Sequence, residues 1–265
     1  MPSSSSFNTY SNLLKPEFRA KIDAMLGQFE AAFYEKIEKA EDMLKSDSFD
    51  MGMYKRHNVE TILRISLKRA VDPLVANYWA SRDPQLCKEW GLYGAEEGRH
   101  DRMFARDLHE VGMTDEEIYA TRPTFATELL NGYFYYTMAT EGPLASMVSG
   151  FYLEYVAGRT QPDWLDSMEV HLGKELTKGA RRHLAQDLED DHVNMVWNMI
   201  MRTINGPADE ARFIGHLVKI NALFVSYFVE VARSVRVPAP NPLEAAMTAP
   251  VAALTVAAET SKALA

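Results

Sequence analysis

One cysteine in 265 residues, Cys87, leaves no disulfide framework and no thiolate metal site, and it suits a reducing compartment. The chain also lacks a convincing period-two strand or hairpin turn, so no segment reads as a sheet. Its start, Met-Pro-Ser-Ser-Ser-Ser-Phe, has neither the basic nor the apolar region of a signal peptide, and no apolar run reaches the roughly 18 residues of a membrane span. Positive charge is short as well. Against 37 Asp and Glu stand 28 Lys and Arg, and the net charge of -9 sets up a field that repels nucleic acid and anionic membrane alike. The expectation is a soluble cytoplasmic protein with no nucleic-acid or membrane partner, although local basic patches such as Lys174 to Arg182 remain.

What the chain does have is helical periodicity from end to end. Residues 1–14 are polar and serine-rich, a loose lead-in. Pro16 then opens a long amphipathic helix carrying Phe18, Ile22, Met25, Phe29, Phe33, Ile37 and Leu44. Ser48 caps a second, which brings Val59, Glu60, Leu63 and Leu67 to one side before Asp72-Pro73 interrupts it. Asp83-Pro84 starts a third, expected to run to Gly112, and Thr114 to Glu117 is a capping box for a short helix ending before Pro123. An apolar and aromatic segment follows from Phe125 to about Gly158, kinked at Glu141-Gly142-Pro143, and Pro162 begins another short helix. Next come helices of roughly 175–204 and 208–235. The latter bears the stripe Phe213, Leu217, Ile220, Phe224, Tyr227, Phe228 and Val231. The chain reads as all-α: one helical domain of about seven helices over 15–237, and a Pro- and Ala-rich tail over 238–265.

Within this frame one stretch stands out, Trp90 to Leu108. At helical period Trp90, Tyr93, Glu97, His100, Phe104 and Leu108 share a face, so a carboxylate and an imidazole one turn apart point into an apolar interior. An unpaired buried carboxylate is costly, and metal coordination is one of the few settings that makes its burial favourable. Glu-x-x-His is the spacing by which one helix gives two ligands to one ion. A second copy, Glu189-Asp-Asp-His192, lies further on. Acidic residues on apolar faces thus recur in order: Glu60, Glu97 with His100, Glu141 or Glu154, then Glu189 with His192. Four carboxylates and two imidazoles in a bundle core are the ligand set of a di-iron or di-manganese site. Glu60 has another explanation, an ion pair with Arg64 four residues on.

The run Glu96-Glu97-Gly-Arg-His100 is similar to the Glu-Glu-x-Arg-His and Asp-Glu-x-Arg-His signatures of ferritin-like carboxylate proteins. The wider layout resembles the heme-oxygenase-like di-iron oxidases, including fatty-acid decarboxylases that make terminal alkenes. There a first Glu, like Glu60, precedes a Glu…His pair leading into a His-x-x-x-Phe-x-x-Asp-Leu-x-x-x-Gly stretch, matched by His100 to Gly112. A Glu-Gly pair like Glu141-Gly142 comes next, and a helix with His-x-x-x-Asp-x-x-His closes the pattern. The resemblance implies a heme-oxygenase-like bundle, with a ferritin-like four-helix core as the alternative. It also implies two Fe(II) per chain (or manganese), dioxygen as co-substrate, an electron donor, and oxidation of a C–H or N–H bond in a fatty-acyl or amino-acid-derived molecule. A homodimer is a further expectation.

The last motif departs from that pattern. His183 and Asp187 supply its first half, but His192 comes two residues late. On one continuous helix, nine residues at about 100° each put His183 and His192 on opposite faces. The polar neighbours of His183 mark a solvated stripe, so Glu189 and His192 are preferred and His183 with Asp187 held in reserve. Likewise the Glu-Gly resemblance favours Glu141 and leaves Glu154 in reserve. The expected ligands are therefore Glu60, Glu97, His100, Glu141, Glu189 and His192. Two rival functions come from other classes. A helical partner subunit that has lost the chemistry would account for the irregular motif, and a metal-free enzyme of the thiaminase-like or quinone-synthase-like kind would need a nucleophile or a basic pocket; the only thiol, Cys87, has no evident histidine partner. Haem oxygenase itself is disfavoured, since no histidine precedes His57.

Overall fold

The computed structural model describes residues 13–37 and 49–236, and among them every regular element is a helix. The expected tail, nearly all of the lead-in, Ser48 and the extension of the first helix to Leu44 lie outside the described residues. Helix α1 (Pro16–Lys36) starts on its proline and buries Phe18, Ile22 and Leu26. Helix α2 (Met51–Trp79) is capped by Asp50, whose side chain accepts the Met53 N–H at 3.0 Å. It runs straight through Pro73, against the sequence expectation. Val71 and Val75, both fully buried, grip the core on either side of that residue, and this packing outweighs one missing N–H.

The chain continues as α3 (Pro84–Glu97), α4 (Asp101–Glu110), α5 (Asp115–Ala120), α6 (Phe125–Thr140), α7 (Leu144–Leu172), α8 (Lys178–Glu189), α9 (His192–Met201) and α10 (Pro207–Arg236). That makes ten described helices where about seven were expected. Three expected long helices are each broken once: one at Gly98 to His100, one at Glu141 to Pro143, the place of the expected kink, where Gly142 takes φ +92°, and one at Asp190-Asp191. Conversely, Pro162 starts nothing and lies inside α7, followed by buried Trp164 and Leu165. The signals at Pro73 and Pro162 lost to packing, and the two breaks without proline went unseen.

The main core joins α1, α7, α9 and α10 through Phe18, Phe151, Trp197 and Phe213, whose ring centroids lie 5.2–6.1 Å apart. A second cluster of Ile62, Leu63, Phe104, Leu108 and Ile118 fastens α2 to α4 and α5. Every residue of the stripe expected for α10 is buried. The same helix is long and apolar enough, by length and composition, to cross a membrane, contrary to the sequence reading; that stripe nonetheless faces the core.

Helices α4 and α8 meet unusually closely. A Cβ on Gly179 would collide with the Met103 carbonyl, while the carboxylate of Asp107 accepts the N–H groups of Gly179 and Ala180 at 2.8 and 2.9 Å. Asp107 thus caps α8 from across the bundle, where the first-turn N–H groups and helix dipole favour an anion. Gly179→Ala forces these backbones apart, and a loss of about 2–3 kcal/mol, roughly 5–10 °C in the melting temperature, is expected by thermal unfolding. A melting temperature within a degree of wild type would refute this account of the contact.

Candidate metal centre

Two of the three helix breaks deliver chemistry. Glu97 is the last residue of α3, and a tight turn follows in which His100 N–H donates to Glu97 O at 3.1 Å and Met103 N–H to His100 O at 3.0 Å. Three-residue bonding of this kind keeps a Glu-x-x-His pair together, and His100 Nδ1 lies 3.0 Å from Glu97 Oε2. At the other break Asp190 ends α8, Asp191 adopts a left-handed conformation (φ 51°, ψ 45°), and His192 begins α9. Aspartate tolerates that region better than most residues. The turn resets the helical phase, so His183 and Asp187 from α8 and His192 from α9 all face the same interior point. One continuous helix could not present both histidines to that point; two helices do.

The buried group so formed contains Glu97, His100, Glu154, His183, Asp187 and His192. Glu97, His100 and His183 each offer a ligand atom within 4.8 Å of the others, and Glu97, Glu154 and His192 do the same, so Glu97 belongs to both sets. His192 Nδ1 lies 3.3 Å from Glu97 Oε1, 3.4 Å from Asp187 Oδ1 and 3.8 Å from Glu154 Oε2. His183 Nδ1 is 3.0 Å from Asp187 Oδ2, and the His100 and His183 rings meet edge-on at 4.3 Å. Glu154 Oε1 accepts the Tyr93 hydroxyl at 2.7 Å.

Hydrogen bonding leaves this group unfinished. Glu97 Oε1, both oxygens of Asp187, His183 Nδ1 and His192 Nδ1 are buried and face one another at 3.0–3.4 Å without a well-aligned hydrogen bond. Carboxylate and imidazole donors gathered this closely away from water fit a cation between them. Three carboxylates and three imidazoles form a donor set that fits iron or manganese.

The charges tell the same story. Burial pushes the Glu154 carboxyl well up, and the neighbouring Glu97 and Asp187 push it further. Burial also opposes ionisation of Asp187, yet His183 and His192 hold its carboxyl far below the usual range. For His192 burial lowers the pKa, but Asp187 and Glu97 outweigh it and raise the imidazole to about 11. Without metal, then, protons on His192 and Glu154 offset the negative charge.

The remaining expected ligands lie elsewhere. Glu60 is fully buried, but it accepts the Thr124 N–H at 2.8 Å and the Thr127 hydroxyl at 2.7 Å, and pairs with Arg56. It ties α2 to the start of α6 with no valence left over, and its partner is Arg56 in place of Arg64. Glu141 ends α6, 38% exposed, with Oε2 3.7 Å from His216 Nε2. Glu189, the last residue of α8, is exposed. Of the six preferred residues the structure brings together Glu97, His100 and His192, and it adds the three held in reserve, His183, Asp187 and Glu154. Tyr93 escaped sequence reasoning as part of the site, though its place one turn before Glu97 on the same face was the available signal.

The stretch from His100 to Gly112 also acquires physical roles. Phe104 packs on the His183 ring at 5.2 Å, Asp107 caps the helix that carries His183 and Asp187, and Gly112 takes φ +82° to end α4. Beside the carboxylates lies a cavity of about 200 Å³, walled by α1, α2, α7 and α10 and reaching Glu97, Glu154, His183 and Asp187. Cys87 is not part of its lining.

The sequence matches no family model, and no curated protein matches it. Solved structures do share its architecture. A domain of unknown function with a heme oxygenase-like fold from Shewanella denitrificans is 17% identical, covers 82% of this chain and 93% of its own, and superposes with a TM-score of 0.71. A TenA homolog from Pseudomonas syringae pv. tomato is 12% identical over 87% of this chain and 99% of its own, with a TM-score of 0.60. The protein therefore has an all-α, heme oxygenase-like fold.

Proposed function

We propose that this protein is a non-haem iron oxidase or oxygenase. It would hold two metal ions on Glu97, His100, Glu154, His183, Asp187 and His192 and use dioxygen to oxidise a C–H or N–H bond of a small molecule in the adjoining cavity. The observation that carries this reading is the sharing of Glu97 between two ligand sets amid five buried donor atoms with no well-aligned hydrogen bond. Iron, when bound, supplies the reduction of dioxygen. The protein supplies geometry. Tyr93 fixes one oxygen of Glu154 and leaves the other beside His192, while Phe104 holds the His183 ring. Phe33, Phe224 and Phe228 add an apolar wall to the cavity. The late His192, which motivated the partner-subunit reading, is accommodated by the break at Asp190-Asp191. The metal-free reading lacks a thiol in the cavity.

Anaerobic loading with Fe(II), metal analysis and oxygen uptake test the proposal. Wild type is expected to bind about two ions and to consume oxygen when reduced, and His183→Ala to bind at most about one. Glu189→Ala and Glu141→Ala should match wild type. Binding of manganese alone would move the reaction to that metal; no metal above background in wild type would sink the proposal.

A further inference from the structure

The cavity has a second polar pole, away from the carboxylates. Four cationic side chains line it, and three have carboxylate partners: Lys68 with Asp72, Arg69 with Asp101 and Arg159 with Glu30. Arg64 has none among the described residues. Its Nη2 donates to Thr61 Oγ1 at 2.9 Å, its guanidinium stands 4.2 Å from the Tyr227 ring centroid and 5.2 Å from that of Phe224, and its Nη1 is buried with no hydrogen-bond partner. Stacking on aromatic faces and the neighbouring Tyr227 hydroxyl offset part of the desolvation cost of such a cation but leave the Nη1 side of its N–H fork open. That fork matches a carboxylate, which accepts two parallel hydrogen bonds from it.

The spacing between the poles is also legible. Arg64 folds back to the level of Thr61, whereas Lys68 stands over the ring of Tyr93, 5.8 Å from its centroid, and the Tyr93 hydroxyl reaches Glu154. From Thr61 to Lys68 the axis of α2 rises about 10 Å. Phe33, Phe224 and Phe228 give the cavity an apolar wall beside Arg64: Phe224 lies against its guanidinium, and Phe228, with Phe33 packed on it, stacks on His57 one turn before Thr61.

We infer that Arg64 anchors the carboxylate of an elongated, mainly apolar carboxylic acid, whose opposite end lies against Glu97, Glu154 and Asp187. Oxidation at that remote end rests on the metal reading above; the anchor does not. A headgroup on Arg64 leaves the metal ligands free of the acid's own carboxylate and selects carbons roughly 10 Å away from it.

The test is calorimetric binding of octanoate, with octanol as the uncharged counterpart, to the full-length metal-free protein. Octanoate should bind wild type more tightly than octanol. Arg64→Met should weaken octanoate roughly 10- to 100-fold, as expected for losing a charge-assisted pair, and leave octanol within about threefold. Because the protein is metal-free throughout, octanoate binding that wild type shows and Arg64→Met loses stands even if the metal reading fails. Equal octanoate affinity in wild type and Arg64→Met overturns the proposal, as does no octanoate binding to wild type. Octanoate binding that needs added Fe(II) and ignores Arg64 overturns it too, since the headgroup would then sit on the metal. Should Arg64→Met lose octanol as well, Arg64→Lys decides: a selective several-fold loss for octanoate supports the anchor, and unchanged binding refutes it.

Discussion

Glu97→Gln is expected to empty both metal positions, where His183→Ala or His192→Ala empties one. Glu97 alone belongs to the set with His100 and His183 and to the set with Glu154 and His192, so one oxygen faces each. Glutamine keeps the shape and fits the same space at the end of α3, but one of the two oxygens becomes an N–H₂ group that cannot ligate. Its charge is lost as well, and two dications then face only Glu154 and Asp187 as anionic ligands. An affinity loss above about 100-fold for both ions is expected, larger than the 10- to 100-fold typical when an outer partner of a ligand is removed. Anaerobic titration with Fe(II) and metal analysis after gel filtration read it directly. Retention of one tightly held ion by Glu97→Gln would show that Glu97 serves a single metal, and the shared-carboxylate geometry would have to be abandoned.

How far the sequence reached is clearest at the histidines. The face shared by Tyr93, Glu97 and His100 was legible because the turn after α3 keeps the three-residue spacing of a helix. The pair His183 and His192 was not, because helical period assumes an unbroken helix. Nothing local forces a break at Glu-Asp-Asp-His: aspartate is a poor helix former but no breaker, and Asp191 reaches φ 51° only because both flanking helices are held by packing. Glu60 misled for another reason. An acidic residue on an apolar face signals burial, and the burial is real, but whether a metal or a set of donors satisfies the carboxylate depends on α6, distant in sequence. The expectations at Pro73 and Pro162 failed in the same direction, since α2 and α7 are secured by buried residues around them, whereas Pro16 and Pro84 open their helices as expected.

Metal affinity should rise steeply with pH, and loading should acidify an unbuffered solution. In the metal-free protein His192 is lifted from 6.5 to about 11, burial opposing and Asp187 and Glu97 outweighing it, so it is protonated at neutral pH. Burial and the nearby Glu97 and Asp187 keep Glu154 protonated well above the ordinary carboxylate range. A metal ion must expel both protons, and each displaced proton multiplies apparent affinity tenfold per pH unit. The expectation is an increase of at least about tenfold per unit from about pH 6 to about pH 8, with about one proton released from His192 and a further one wherever Glu154 is protonated. The metal-free fold responds with the opposite sign. A group whose pKa rises on folding contributes stability below its unfolded value and loses it as pH climbs through the folded one, so the His192 contribution is complete below 6.5 and fades toward about 11. Chemical denaturation of the metal-free protein should therefore show stability falling above neutrality while metal binding strengthens over the same range. A pH-independent metal affinity would mean that the ligands carry no protons to expel, and the charge balance assigned to His192 and Glu154 would be wrong.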